Sequence, residues 1–354
     1  MMRGNMDDSK KKASAMAFTL LVLLGVGMAI MFAVNHIVEG NLIVRDSKDG
    51  EATLRRLFVN DVVHAGQYLP PTDAKDRHTH RDHSRLPVTY WHPKGPVGEV
   101  LAKFNWFRGA DSPWRADARL PASLVGHGSA SGVLPAGQLV AAWSEPPLGA
   151  IPLKAGALAG YARPFQIVDF YEPSPAIYEL SFPKMGEPKF TFLRDARARS
   201  ADVRVFQGKE RDLLKKVAPR RFYQALFVDA VRGDLADLAD DLLTVEGMRA
   251  LMATVANNGI LAYHVSNKQY DLVPIVALTA QANKYVCALA EDPDEHGKGH
   301  YSSEWVVVAR QGEALKHLNR GGGTVRWTIP VARGQQLWTD AGPRDRTGLE
   351  RRKN

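Results

Sequence analysis

Two acidic residues stand where apolar runs of the sequence end, and they are well placed to do chemistry. Glu172 follows the run from Ile167 to Tyr171, and Asp229 ends the run that begins at Phe222. A carboxylate at the end of a sheet strand can bind ligand hydroxyls or accept a proton as a general base. The same position is common for a purely structural carboxylate, so both interpretations of Asp229 stay open.

The segment before Glu172 indicates how that carboxylate is positioned. An apolar run from Leu148 to Leu153 enters a loop, a small-residue helix is predicted from Ala155 to Ala162, and a second strand leads to Glu172. This is the layout of the first β-α-β unit of a nucleotide-binding sheet. In such a unit a glycine loop brings backbone N–H groups to the ligand, and the acid binds the ribose.

The order of several motifs resembles a known family. WSEPP, YARP, HVSN, SSEWV and WTD occur in the order found in the spermidine synthase-like (aminopropyltransferase-type) domain of bacterial membrane-associated proteins. The resemblance covers roughly residues 40–340. It implies a Rossmann-like methyltransferase/spermidine synthase fold, which is a mostly parallel seven-stranded α/β sheet preceded by a small β-domain. The alternation of apolar runs and helical segments predicts the α/β sheet as well.

The resemblance also implies a set of catalytic positions. Tyr90 and His92, in VTYWHPKGPVGEV, match residues that help to form an amine-substrate pocket. Asp229 matches the acid that would accept a proton from the attacking amine, and Asp234 matches a second acid.

The implied nucleoside site departs from the family pattern. Its matching positions are Gly156, Glu172 and Gly208, but three expected ligand residues are replaced by Pro152, Lys154 and Lys209. Proline removes a backbone N–H, and lysine puts a long side chain where the ligand would lie. The sequence also leaves the family pattern after the WTD motif. We therefore expect vestigial catalytic residues, no bound cofactor and no metal.

The N-terminal region predicts a membrane anchor. Residues 13–38 contain no Asp, Glu, Lys or Arg, which is long enough for a transmembrane helix. Three lysines precede it, so the positive-inside rule predicts a cytoplasmic N-terminus and a periplasmic globular part at a bacterial inner membrane. A cleavable signal peptide is the alternative, but the apolar stretch is longer than such signals usually are.

Composition limits the remaining possibilities. The net charge is +8, with the basic residues scattered apart from short terminal runs, which argues against a nucleic-acid partner. A single cysteine, Cys287, excludes an intramolecular disulfide. The predicted organisation is a cytoplasmic tail (1–12), a membrane helix (13–38), a small β-domain and loop (39–110), an α/β domain (111–340) and a basic tail (341–354).

These features favour a catalytically inactive structural or assembly subunit of a membrane complex, whose partners are integral membrane proteins and the lipid bilayer. Respiratory and photosynthetic complexes are candidate hosts. Two alternatives stay open. One is a membrane-tethered aminopropyltransferase or S-adenosylmethionine-dependent transferase. The other is a periplasmic module that binds a small ligand, or a metal through His78, His80 and His83, although interleaved arginines would repel a cation.

Overall fold

The computed structural model describes residues 42–71, 83–104, 145–231, 238–293, 299–316, 318–319, 325–332, 336–347 and 349. The predicted membrane helix at 13–38 lies outside these ranges, as do Asp234, His78 and His80. Within them, no helix has both the length and the apolar character needed to cross a bilayer.

The first described unit is a three-stranded antiparallel sheet. Its strands are β1 (Leu42–Asp49), β2 (Ala52–Val59) and β3 (Val62–Tyr68), which pair in the order β1-β2-β3. The second turn consists of Asn60 and Asp61, both with positive φ, as a tight two-residue hairpin turn requires. The sequence predicts a small β-domain in this region, and its described part is a three-stranded sheet.

The second unit is a mixed sheet with the order β11-β9-β10-β8-β7-β4-β5-β6. Its strands are β4 (Leu148–Ile151), β5 (Ile167–Glu172), β6 (Asp202–Gln207), β7 (Tyr223–Asp229), β8 (Val255–His264), β9 (Val286–Asp292), β10 (Ser303–Ala309) and β11 (Trp327–Thr328). Strands β4 to β8 pair in parallel, whereas β10 is antiparallel to both neighbours. The prediction of a large, mostly parallel α/β sheet is confirmed. The eighth strand is the two-residue β11, which is too short to leave a pattern in the sequence.

Helices connect the strands. They are α1 (Pro96–Phe104), α2 (Pro175–Ser181), α3 (Phe192–Ala198), α4 (Glu210–Lys216), α5 (Asp240–Leu243), α6 (Val245–Thr254), α7 (Val273–Ala282) and α8 (Gly312–Leu315). The predicted helix at 155–162 is instead a 3₁₀ helix, Ala157–Tyr161. It is short because Gly156 is left-handed on one side (φ 75°) and Pro164 biases Arg163 away from helix on the other.

The core lies on both faces of the large sheet. Val168, Phe170 and Trp305 belong to one buried cluster, and Tyr171 and Val228 belong to the other. A strand buried on both faces has a continuous apolar sequence, which is why β7 could be predicted.

The small sheet covers one end of the large one. Leu42, Leu57 and Ala65 pack with Ala155, from the loop after β4, and with Ile177 of α2. Both of those elements follow the carboxyl end of a strand. The small sheet therefore lies across what we call the carboxyl edge, the side of the large sheet at which β4 to β8 end.

Candidate functional site

The candidate site is at the carboxyl edge, where three neighbouring strands end together. In register, Ile151 at the end of β4 pairs with Val228, and Asp229 at the end of β7 pairs with His264 at the end of β8. Glu172 ends β5 on the other side of β4. Ligands of open α/β sheets usually bind in this crevice.

Lys154 turns into the crevice and fills its centre. Its side chain is 3% exposed, and its Nζ lies 3.3 Å from Oδ2 of Asp229. The ammonium also donates to the backbone oxygen of Val231 at 2.8 Å and contacts Nδ1 of His64 on β3. An ammonium has three protons to donate, and here each has a partner.

Asp229 is surrounded by further donors. The hydroxyl of Tyr90 lies 2.9 Å from Oδ2, the backbone N–H of Val231 donates to Oδ1 at 3.0 Å, and Nδ1 of His264 lies 3.3 Å from Oδ1. Burial alone would raise the pKa of Asp229. The charges of Lys154 and His264 outweigh that effect and hold the pKa well below its ordinary value. Asp229 is therefore a fixed carboxylate.

Tyr90 and His92 are close in sequence but belong to different groups. Tyr90 stacks on His264 with ring centroids 3.9 Å apart, and burial and the nearby Asp229 raise the pKa of its phenol well above the ordinary value. His92 instead stacks on His300 at 4.5 Å, and His300 contacts the carboxylate of Asp292 at 2.7 Å. The structure thus brings Tyr90 to Asp229 and directs His92 elsewhere.

Glu172 turns inward on its own loop. It is fully buried, and its Oε2 accepts from the N–H of Leu153 at 2.9 Å and, weakly, of Lys154 at 3.4 Å. Oε1 accepts from the N–H of Ser174 at 2.8 Å. Burial raises the pKa of Glu172 to about 7, although these hydrogen bonds and the charge of Lys154 oppose the shift. Each oxygen already has a backbone donor, and neither is exposed to solvent.

Packing and backbone geometry account for the glycines of the implied nucleoside site. A Cβ on Gly156 would lie 1.9 Å from a methyl group of Leu193, and its φ of 75° is rarely adopted by L-residues, so backbone conformation and packing together favour glycine there. Gly208 has φ 139°, which is unusual for an L-residue, and Lys209 is the N-terminal flanking residue of α4 with no side-chain cap. Pro152 is buried directly after β4.

Two participants of this cluster were not predicted. His264 could have been found, because it ends β8 as Asp229 ends β7. His64 left no such pattern, since its contact with Lys154 spans 90 residues of chain. His264 Nε2 and Trp305 Nε1 are buried and lack a hydrogen-bond partner within the described residues.

The metal alternative finds no support in the part of the chain that is described. No group of three or more His, Cys, Asp or Glu side chains there could hold an ion. Of the three predicted ligands only His83 is described, and its ring lies 5.9 Å from that of Tyr68.

The comparisons with known proteins concern the fold. No protein-family model and no curated protein sequence matches the chain. A probable spermidine synthase from Corynebacterium glutamicum is similar in structure, with 13% identity, a TM-score of 0.47, and coverage of 87% of this chain and 96% of that one. The spermidine synthase from Thermotoga maritima has 9% identity, a TM-score of 0.36, and coverage of 78% and 77%. A predicted O-methyltransferase from Agrobacterium tumefaciens has 16% identity, a TM-score of 0.33, and coverage of 46% of this chain and 72% of that one. These values are too low to transfer an activity.

Proposed function

We propose that this chain is a catalytically inactive, membrane-anchored protein of the spermidine synthase-like type that serves as a structural or assembly subunit of a membrane complex. The observation that carries the inactivity is the position of Lys154. Its ammonium lies 3.3 Å from Oδ2 of Asp229 and already neutralises the carboxylate with which a cationic substrate group would pair.

The state of Asp229 supports the same conclusion. A general base works best when its pKa is near the working pH, and the pKa of Asp229 is held far below that range. A substrate amine would also have to displace Lys154. Separating a buried ion pair is strongly unfavourable, because each charge loses its partner without gaining water.

The nucleoside side of the crevice supports inactivity independently. The two oxygens of Glu172 accept hydrogen bonds from the N–H groups of Leu153 and Ser174. The acid expected to bind a ribose therefore holds the loop in place. The loop itself contains Pro152 and Lys154 where a ligand cradle would present free N–H groups. Among the described residues of this loop, a nucleoside would find few donors and no available carboxylate.

The structural role follows from the predicted anchor. A helix at residues 13–38 would pack laterally against integral membrane proteins, with Gly25, Gly27 and Ala29 allowing close approach. The globular part would lie at the periplasmic face, with the N-terminus in the cytoplasm. Respiratory and photosynthetic assemblies are suitable hosts.

Calorimetric titration of the full-length protein in detergent with S-adenosylmethionine, and separately with its decarboxylated form, tests this proposal. We expect no binding heat up to about 1 mM ligand, which corresponds to less than about 4 kcal/mol of binding free energy. Micromolar binding of either compound would overturn the inactivity and favour the tethered transferase.

The assembly role has its own test. Native gel electrophoresis of membranes solubilised in mild detergent should show the protein at the mass of a larger complex. Migration as a monomer at every detergent concentration would contradict a structural role.

A further inference from the structure

The helices return to the large sheet at the side opposite Asp229, which we call the amino edge, and exposed cations gather there. Lys215 and Lys216 end α4, Arg220 and Arg221 lead into β7, and Lys284 leads into β9. None of the five forms an ion pair with a carboxylate in the described part of the chain. Their charge is therefore directed to solvent.

Few carboxylates balance this charge. Within the described residues, the loops that lead into β4 through β9 contain one acid, Glu145, and it pairs with Arg163 at 2.9 Å. Asp202, the first residue of β6, is the exposed acid nearest these loops in sequence. The amino edge is thus net positive.

An aromatic side chain projects from the same edge. Phe165 leads into β5 and is 74% exposed, and its N–H donates to the backbone oxygen of Ser200 at 2.7 Å. Because α4 packs on β5, the cationic end of α4 and the ring of Phe165 lie on one surface. We call this surface the amino-edge face. Its members are Phe165, Lys215, Lys216, Arg220, Arg221 and Lys284.

Three members of the face occupy backbone positions that favour glycine. Phe165, Arg221 and Lys284 have φ of 65°, 50° and 60°, and each stands two residues before a strand. Left-handed conformations at such chain reversals are ordinarily filled by glycine, and another residue costs about 1 kcal/mol. Placement near helix C-termini explains Lys215 and Lys216, which complement the helix dipole, and Lys284, whose N–H donates to the backbone oxygen of Gln281 as it closes α7. It does not explain an exposed phenylalanine as the third residue of the turn in which the N–H of Gln166 donates to the backbone oxygen of Arg163 at 3.1 Å.

We propose that the amino-edge face docks onto an acidic surface of a protein partner, with the ring of Phe165 entering an apolar recess. Aromatic and arginine side chains contribute most to protein interfaces, and surrounding cations steer an acidic partner into place.

The choice of a protein over a lipid surface rests on the proposed anchor. Strands of six or seven residues separate the two edges by about 20 Å. The chain enters β1 at the carboxyl edge, and the three residues between the predicted membrane helix and β1 reach at most about 10 Å. The amino-edge face therefore points away from the bilayer that holds the anchor.

The first experiment separates docking from folding, because glycine variants should keep or raise the melting temperature while retention in the complex falls. The full-length protein is made in three variants, Phe165→Gly, Arg221→Gly and Lys284→Gly. Ser200→Gly is the matched control, because Ser200 also has a positive φ (67°). All four should keep or raise the melting temperature. Retention in the native complex should fall at least about tenfold for Phe165→Gly and remain unchanged for Ser200→Gly. Unchanged retention of all four variants would overturn the proposal.

A photocrosslinking amino acid at position 165 identifies what lies against the face, and the same group at the exposed Met185 is the control. We expect an adduct from position 165 alone, on a peptide rich in Asp and Glu, with a yield that falls as salt is raised. The docking proposal would be overturned by an adduct to lipid or to a second copy of this chain. It would also be overturned by binding to phosphatidylglycerol vesicles, or by the absence of any adduct. Binding of S-adenosylmethionine by the wild type would instead overturn only the proposed inactivity.

Discussion

Charged side chains are buried and paired at one edge of the large sheet and exposed to solvent at the other. At the carboxyl edge, Lys154, Asp229 and Glu172 are buried and each is satisfied by other groups of the chain. At the amino edge, five cations and Phe165 face solvent. In most open α/β sheets the carboxyl edge holds the ligand. Here that edge is closed by the protein's own side chains, and the opposite edge carries the exposed groups.

This contrast has an energetic consequence. Removing one member of a buried charged cluster leaves the other uncompensated, whereas exposed charges contribute little to stability. Substitutions at the carboxyl edge should therefore change folding strongly. Substitutions of the amino-edge face should leave folding almost intact and change association.

The largest effect is expected for Lys154→Met, which keeps the apolar stem and removes the charge. Asp229 would remain buried without its counter-ion, so the free energy of unfolding should fall by about 3–5 kcal/mol in urea denaturation. The double variant Lys154→Met/Asp229→Asn should recover most of that loss. The exposed Lys184→Met is the control, expected within about 0.5 kcal/mol of wild type. A loss below about 1 kcal/mol for Lys154→Met would show that the ion pair is not important for the fold.

The next effect concerns pH and Glu172. Its folded pKa of about 7 lies above the ordinary glutamate value of 4.5. A raised folded pKa favours the folded protein below pH 4.5, and that contribution is lost as pH rises through 7. Over this window Glu172 alone should reduce the free energy of unfolding by about 3 kcal/mol.

Comparison with Glu172→Gln isolates this contribution. The variant should gain stability relative to wild type between pH 5 and pH 8, as measured by denaturation at each pH. The exposed Glu187→Gln is the matched control and should follow the wild type throughout. A constant difference between Glu172→Gln and wild type would contradict the raised pKa.

The smallest effect is expected at the amino edge. The N–H of Ser200 donates to Arg197 and that of Ala201 donates to Ala196, so Ser200 occupies the left-handed position that closes α3. Ser200→Gly should raise the free energy of unfolding by about 0.5–1 kcal/mol, measured by thermal or urea denaturation. Ser200→Ala, which keeps a Cβ, should bring no gain. Destabilisation by glycine would mean that the serine side chain makes a contact that matters.

The sequence could predict what depends on local pattern. The apolar run ending at Asp229 predicts a buried strand, and the alternation of strands and helices predicts the sheet. Lys154 could be expected in the ligand cradle, because residue type and loop position suffice for that. Its partners could not be predicted, since His64 reaches it only after the small sheet has packed across the carboxyl edge.

The left-handed positions depend on turns that the sequence indicates only in part. Phe165 is the third residue of a turn in which the N–H of Gln166 donates to the backbone oxygen of Arg163 at 3.1 Å. Pro164 in the second place is typical of such a turn, but phenylalanine usually avoids the positive φ of the third. Lys284 closes α7 as Ser200 closes α3.

The bond between Lys154 and His64 also bears on cooperativity. It joins the small sheet to the loop after β4, and Lys154 in turn joins that loop to the end of β7. If the small sheet opened alone, water would reach a cluster of charges whose pairing depends on burial. The best-protected amides of β3 should then show the same free energy of opening as those of β7 in hydrogen exchange, because the shared cluster couples the unfolding of the two sheets.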